Sequence, residues 1–347
     1  MILKRIKIIL KVICKQSLLI ATIIALMLYP KERKKVREAT DSFAESDVEV
    51  NHSFIKTIKI IINQLAYRIS YEEYFIYRFE ERSRSGKKRY VGEKEWEDIY
   101  YSIEEDGNPD VFKDKKRTYD YFKKYYGREV LCSSDITLDS FKTFCDTHLS
   151  YIVKPQRSNS GQGIEIIQTG NTQEIKTSYE YIMNKAPCVI EELIDQDESM
   201  ASFHPSSINT IRITSYIDQD HVIILQAVIR MGRGKSIVDN AGAGGIYAVI
   251  DSITGIVRTL AYDEKGQEYL LHPDTKKTII GYQIPKWGEL ISLVEHLARV
   301  LPEQKLVGWD LALTKKYGWV MVEGNTKPVF QLFEPTRGLR KEVEYLT

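Results

Sequence analysis

The sequence predicts an α+β protein, strand-rich in its C-terminal two thirds and mostly helical before that. Three observations carry this. Residues 306–328, LVGWDLALTKKYGWVMVEGNTKP, read as two strands around a tight turn at 315–318. Both arms are rich in Val, Leu and Trp, as half-buried strands are. Residues 150–167 read as strand, Gly/Ser-rich loop, strand. Residues 38–108 are polar and carry apolar residues at helical spacing.

The 306–328 hairpin has a register that can be worked out. If Thr314 faces Trp319, then Asp310 faces Glu323. Side-chain alternation puts Asp310, Glu323 and Asn325 on one face and Leu311, Leu313, Val320 and Val322 on the apolar other. Opposed carboxylates repel, and a cation between them removes that cost. Two carboxylates and an Asn carbonyl form an all-oxygen set suited to magnesium held with a substrate's phosphates. Solvated acids on a surface hairpin are the alternative.

The 347 residues are enough for about two or three domains. A net charge of +1 leaves no global electrostatic case for nucleic acid. Cys14, Cys132, Cys145 and Cys188 are scattered, which suits reduced thiols in a cytoplasmic protein. The six histidines form no metal-binding spacing. Residues 1–37 combine an Ile/Val-rich run carrying Lys4, Arg5, Lys7, Lys11 and Lys15, an uncharged stretch 18–29, and a basic cluster 31–37. The stretch is short of the roughly 20 residues that span a bilayer. An interfacial helix on an anionic inner leaflet and helices packed on the protein itself are the two readings.

In chain order, Tyr67, Tyr71, Tyr74 and Tyr77 recur at three and four residues, an aromatic packing stripe on one helix face. Residues 82–89 form a basic, solvated loop. Gly107-Asn108-Pro109 breaks the chain. A helix follows at 118–126, closed by Gly127, then a short strand at 130–131. Thr137 caps a helix 138–148 with Phe141 and Phe144 inward. Next come the strand ending in Lys154-Pro155, the loop from Gln156 through Ser158, Ser160 and Gly161 to Gly163, and the strand 164–167. Such a loop can fold over phosphates with its backbone N–H groups, and Lys154 can supply a point charge beside them; an ordinary hairpin turn is the plain alternative. A helix at 178–185 precedes an apolar strand 188–194 containing Glu191, Glu192 and Leu193. Strands at 209–215 and 221–230 bring Arg212 and Arg230 to one side of a sheet, where each can instead form a structural ion pair. A glycine-dense loop 237–245 holding Asn240 leads into the strand 246–251, and an amphipathic helix 285–300 precedes the hairpin.

Taken in this order, the lysine before a helix, VKP, the Gly-rich loop, EEL, NTIR, a distant arginine, DN…GG and WD…EGN resemble the ATP-grasp superfamily. The pattern looks most like the sugar-transfer-associated ATP-grasp proteins over residues 110–335. The resemblance implies two α+β subdomains clasping ATP, at 109–190 and 191–347, behind a helical region 38–108 and the segment 1–37. It implies that Lys115, Lys154, Ser158, Ser160, Gly161 and Gly163 hold ATP phosphates. Glu191, Glu192 and Leu193 would form the adenine and ribose hinge. Arg212, Arg230 and Asn240 would act in catalysis, and Asp310, Glu323 and Asn325 would bind Mg2+. The implied activity is ADP-forming ligation through an acyl phosphate, joining a carboxylate donor to an amine or hydroxyl acceptor such as a sugar or glycan precursor. A small-molecule kinase and a non-catalytic nucleotide-binding scaffold are the alternatives. Lys327-Pro328-Val329 lacks the Pro-Gly that follows this motif in peptide-forming relatives, which points to a different acceptor side.

Overall fold

The computed structural model describes residues 18–44, 53–104, 107–158, 162–329 and 334–346. The chain divides into two compact units: Met1–Glu105 with Lys265–Gln267 and Val329–Thr347, and Asp106–Glu264 with Glu268–Pro328.

The first unit is helical. Helices Leu18–Ser42, Phe54–Tyr67, Tyr71–Ile76 and Glu93–Ile103 form it, around a core that includes Val36, Ile61, Tyr74, Tyr77 and Phe79. The tyrosine stripe spans two helices, not one. Arg68 ends the first in left-handed backbone, and Ser70 and Glu73 open the next with a capping box. Tyr74 and Tyr77 still pack inward. The basic stretch at 82–89 contains a short helix, Arg84–Lys87, instead of an open loop. Arg340 ties the C-terminal tail to this unit through Glu95 and the carbonyl of Tyr90. Among the described residues no helix is long and apolar enough to cross a membrane. Residues 1–17 of the expected N-terminal segment lie outside the described residues.

The second unit holds two antiparallel sheets. β1 (Val130–Cys132), β2 (Ser150–Pro155), β3 (Glu165–Gln168) and β4 (Cys188–Glu192) form the smaller, in the order β1-β4-β2-β3. The larger comprises β5 (Ile211–Asp218), β6 (His221–Met231), β7 (Ile246–Ile250), β8 (Val257–Tyr262), β9 (Glu268–Tyr269), β10 (Leu306–Thr314) and β11 (Gly318–Thr326). Its order is β11-β10-β5-β6-β7-β8-β9. Helices Leu138–Thr147 and Thr172–Lys185 pack on the smaller sheet through Phe141, Phe144, Ile175 and Ile182. The second of these starts earlier than 178 because Asn171 caps it, accepting from the N–H groups of Gln173 and Glu174. Asp114 likewise starts a helix at Lys115–Phe122, and a 3-10 turn, Lys123–Tyr125, tightens the chain before Gly127. Helix Trp287–Ala298 buries Leu290, Val294 and Leu297 in the core of the larger sheet.

In the β10–β11 hairpin Asp310 lies opposite Glu323, but by another route than simple pairing. Thr314 pairs with Gly318, not Trp319, and a bulge that skips Val322 restores the register. A one-residue slip exchanges the faces of a strand. Trp319 and Met321, not Val320 and Val322, therefore join Leu311 and Leu313 in the core.

Candidate active site

Strand pairing builds the centre of the site. β5 runs beside β10 with Arg212 opposite Asp310. Arg212 grips the Asp310 carboxylate with two donors, Nε and Nη2, the latter at 2.6 Å. Arg230, reaching across from β6, donates Nη1 to both oxygens at 3.1 and 3.0 Å. Asp310 is 1% exposed. Burial opposes its charge, yet the two guanidinia hold its carboxyl well below the ordinary carboxylate range. The acid pair thus has counter-charge from the protein itself, so its opposition does not by itself require a metal.

Glu323 is different. Its side chain is half exposed, 4.0 Å from the Arg212 guanidinium. Desolvation and then the Asp310 charge push its carboxyl upward. Half of the side chain is open to water, so the Asp310 carboxylate opposite is the neighbour that opposes its charge most directly. Asn325 bridges the acids, Nδ2 lying 3.3 Å from Glu323 Oε1 and 3.5 Å from Asp310 Oδ2. A half-turn of that amide would present its oxygen to the same point. The donor set therefore fits a hard cation in chemistry. Among the described residues no group of three or more His, Cys, Asp or Glu side chains comes together to hold a metal. An ion here would depend on two carboxylates and an amide, with Asp310 giving up part of its arginine contacts.

The lysines sit nearby. Lys115 Nζ donates to the backbone oxygen and hydroxyl of Ser158 at 2.9 and 3.0 Å, at the start of the Gly/Ser loop. Burial pulls its ammonium pKa down, with Glu323 opposing and Lys154 assisting. Its neighbours point elsewhere: Lys113 pairs with Asp110, and Lys116 with Asp120 and Asp135. Lys154 donates to Glu191 at 2.9 Å. Gly163 closes the loop at φ 72°, where a Cβ would lie 2.8 Å from the Pro155 ring. Ser160 and Gly161 lie outside the described residues.

The expected hinge is only partly free. Glu191 is buried between Lys154 and Arg128; desolvation opposes its charge, but these two cations bring its carboxyl down to about 2. Glu192 accepts from the backbone N–H of Glu129. Leu193 lies just beyond the end of β4 and is half-buried. Asn240 accepts from Gly242 N, capping the 3-10 turn Ala241–Ala243, apart from the arginine–carboxylate cluster's bonding.

Three residues had no role of their own in the sequence reading, although two of them lie inside its motifs. Arg128 joins both sheets, donating to Glu191 on β4 (2.8 Å) and to the carbonyls of Met321 (2.7 Å) and Val322 (3.3 Å) at the β11 bulge. Asp239 accepts from Arg230 Nη2 at 2.7 Å. Gly324 lies against Phe112, whose ring a Cβ would approach to 2.5 Å. Arg128 had no local signal, whereas Asp239 stands in the DN…GG motif and Gly324 in EGN, a glycine inside a strand.

Residues 129–345 match the family described as sugar-transfer associated ATP-grasp. No curated protein matches the sequence. Solved structures similar to the chain include N5-carboxyaminoimidazole synthetase from Staphylococcus aureus, at 8% identity and TM-score 0.40, covering 63% of this chain and 45% of that one. D-alanyl-alanine synthetase A from Vibrio cholerae shows 15% identity and TM-score 0.40, covering 68% and 60%. L-amino acid ligase from Bacillus licheniformis shows 12% identity and TM-score 0.38, covering 62% and 41%. The chain thus spans 41% to 60% of the length of these structures.

Proposed function

Because the chain belongs to the sugar-transfer-associated ATP-grasp family, we propose that it is an ADP-forming ligase that activates a carboxylate as an acyl phosphate. An amine or hydroxyl on a cell-surface polysaccharide or its precursor then displaces the phosphate. The observation that carries this reading is Asp310 and Glu323 opposed across one hairpin, with Asn325 between them and two arginines alongside. Glu323, Asn325 and Asp310 would hold Mg2+, which when bound neutralises phosphate oxygens. Lys115 and Lys154 would bind phosphates by exchanging Ser158 and Glu191 for them. Arg212, the more exposed arginine, would turn toward the transferring phosphoryl group, while Arg230 would keep Asp310 charged and aimed. Positioning and charge then supply most of the rate. The backbone at Glu191, Glu192 and Leu193 would receive the adenine, and Asn240 would shape the glycine loop over the acceptor.

The test is an ADP-release screen of amino acids and sugar acids on purified wild type and Glu323→Gln. Wild type should turn over with release of free phosphate, and Glu323→Gln should lose at least about 100-fold. Equal turnover would remove the metal face from the mechanism. ADP with a stable phosphorylated product and no free phosphate would identify a kinase instead.

We also infer a cytoplasmic location with the N-terminal helix against an anionic membrane surface. Leu26, Met27, Phe54 and Ile55 are exposed, and Tyr29 packs on Phe54 to join their two helices. Lys31, Arg33, Lys34, Lys35 and Arg37 are exposed on the first of them. Apolar side chains with basic flanks suit such a surface. The protein should float with vesicles containing phosphatidylglycerol and not with pure phosphatidylcholine. Met27→Asp with Ile55→Asp should abolish flotation.

A further inference from the structure

Five charges alternate in a row that starts in the loop after β6 and crosses the larger sheet: Asp239, Arg230, Asp310, Arg212 and Glu323. The two ends of this row differ in kind. At one end Asp239 is 5% exposed and its carboxylate is fully used. Oδ1 accepts from Arg230 Nη2 at 2.7 Å, and Oδ2 accepts from both the backbone N–H and the hydroxyl of Thr210. At the other end Glu323 is half exposed and Arg212 reaches it only at 4.0 Å.

Arg230, between Asp239 and Asp310, is itself buried, and its Nε has no partner among the described residues. Its orientation therefore depends on Nη1 at Asp310 and Nη2 at Asp239. Asp310 is the only one of these acids gripped by two guanidinia. If an anionic ligand draws Arg212 away, Arg230 is the guanidinium left holding the Asp310 carboxylate, beside the longer 3.5 Å contact from Asn325 Nδ2.

We propose that Asp239, anchored by Thr210, is a positioning residue: it fixes Arg230 so that Asp310 stays oriented toward the cation position when Arg212 is released. This rests on the magnesium–nucleotide reading above. Asp239, its carboxylate taken up by Thr210 and Arg230, would touch neither nucleotide nor ion. It acts through Arg230, as a partner behind a metal ligand does.

The experiment uses the full-length chain and two binding readouts, with Mn2+ as the probe for the cation. Electron paramagnetic resonance in the presence of ADP gives Mn2+ affinity. Fluorescence of a labelled ADP without metal gives nucleotide affinity. Asp239→Asn should weaken Mn2+ binding about 10-fold or more, and should change metal-free ADP binding by less than about twofold. Thr210→Val, which removes one anchor and no charge, should weaken Mn2+ by about two- to threefold in the same direction.

Wild-type Mn2+ affinity in folded Asp239→Asn overturns the proposal. So does an equal loss in both readouts with a lowered melting temperature, which is the mark of a purely structural role. Should Asp239→Asn fail to fold, Thr210→Val decides, and unchanged Mn2+ affinity there overturns it. If wild type itself takes up no Mn2+ with ADP, the magnesium–nucleotide reading falls and this inference falls with it; if wild type binds and Asp239→Asn binds equally, only the inference falls.

Discussion

Asp310 and Glu323 face each other yet do different work, and the difference is burial. Asp310 is enclosed and accepts from two arginines; Glu323 stands half in water. Asp310→Ala leaves two guanidinia facing a cavity, and should cost about 3–5 kcal/mol as well as activity. Chemical denaturation will show this as a shifted midpoint. Glu323→Gln should move stability by less than about 0.5 kcal/mol, the range of surface substitutions, so loss of turnover there speaks to chemistry alone. In the helical unit Glu73 shows what a buried acid does to pH dependence. It is 2% exposed and accepts from the N–H groups of Ser70 and Glu93 and the hydroxyl of Tyr77. Burial pushes its carboxyl up to about 7 despite those three donors. Its folded pKa lies above the unfolded value, so the native state holds the extra proton between the two. Stability should therefore fall as pH rises from the unfolded carboxylate range to about 7. Melting temperatures of wild type and Glu73→Gln between those limits will converge or cross in favour of the amide as pH rises; a constant difference would refute this.

At the scale of elements, the bulge in β11 is what makes the site. Without it Thr314–Gly318 pairing would carry Glu323 to the core face. The bulge leaves the carbonyls of Met321 and Val322 available, and Arg128 takes both while holding Glu191 on the smaller sheet. Two carbonyls and a buried carboxylate are lost together if Arg128 becomes Met. That variant should lose more than about 3 kcal/mol, because Glu191 is left with Lys154 alone. Gly324→Ala presses a methyl group into the Phe112 ring and should cost about 1–3 kcal/mol. Phe112→Leu should recover part of that loss. Both are measured by thermal unfolding. The hairpin itself was legible from its composition and turn; the opposition of the two acids was expected from a Thr314–Trp319 register that the structure replaces with Thr314–Gly318 and a bulge. The bulge was not legible, since nothing in GWVMVEGN marks which residue is extra until Trp319 and Met321 find the core.

For the whole molecule, the strand–loop–strand unit, the β5–β6 hairpin, and the helices within the described part of 38–108 all follow from periodicity and turn chemistry, which act over a few residues. The grouping of Arg212 with Arg230 on one side of the sheet was legible for the same reason. Membership of the ATP-grasp family was carried by motif order along the chain. What neighbours each charge was not. Arg128 and Glu191, 63 residues apart, and Arg230 and Asp239, on a strand and the loop beyond it, meet only after the sheets have formed. The joining of the tail 329–347 to the N-terminal unit has no trace in its own composition. By itself the sequence determined where strands and helices lie, because alternation and capping are local; the inward face of β11 and the register that opposes the two acids waited on the bulge. Tertiary structure alone decided that the acid pair is balanced by guanidinia and which arginine is locked, because charge partners are chosen by distance in space and by exclusion of water.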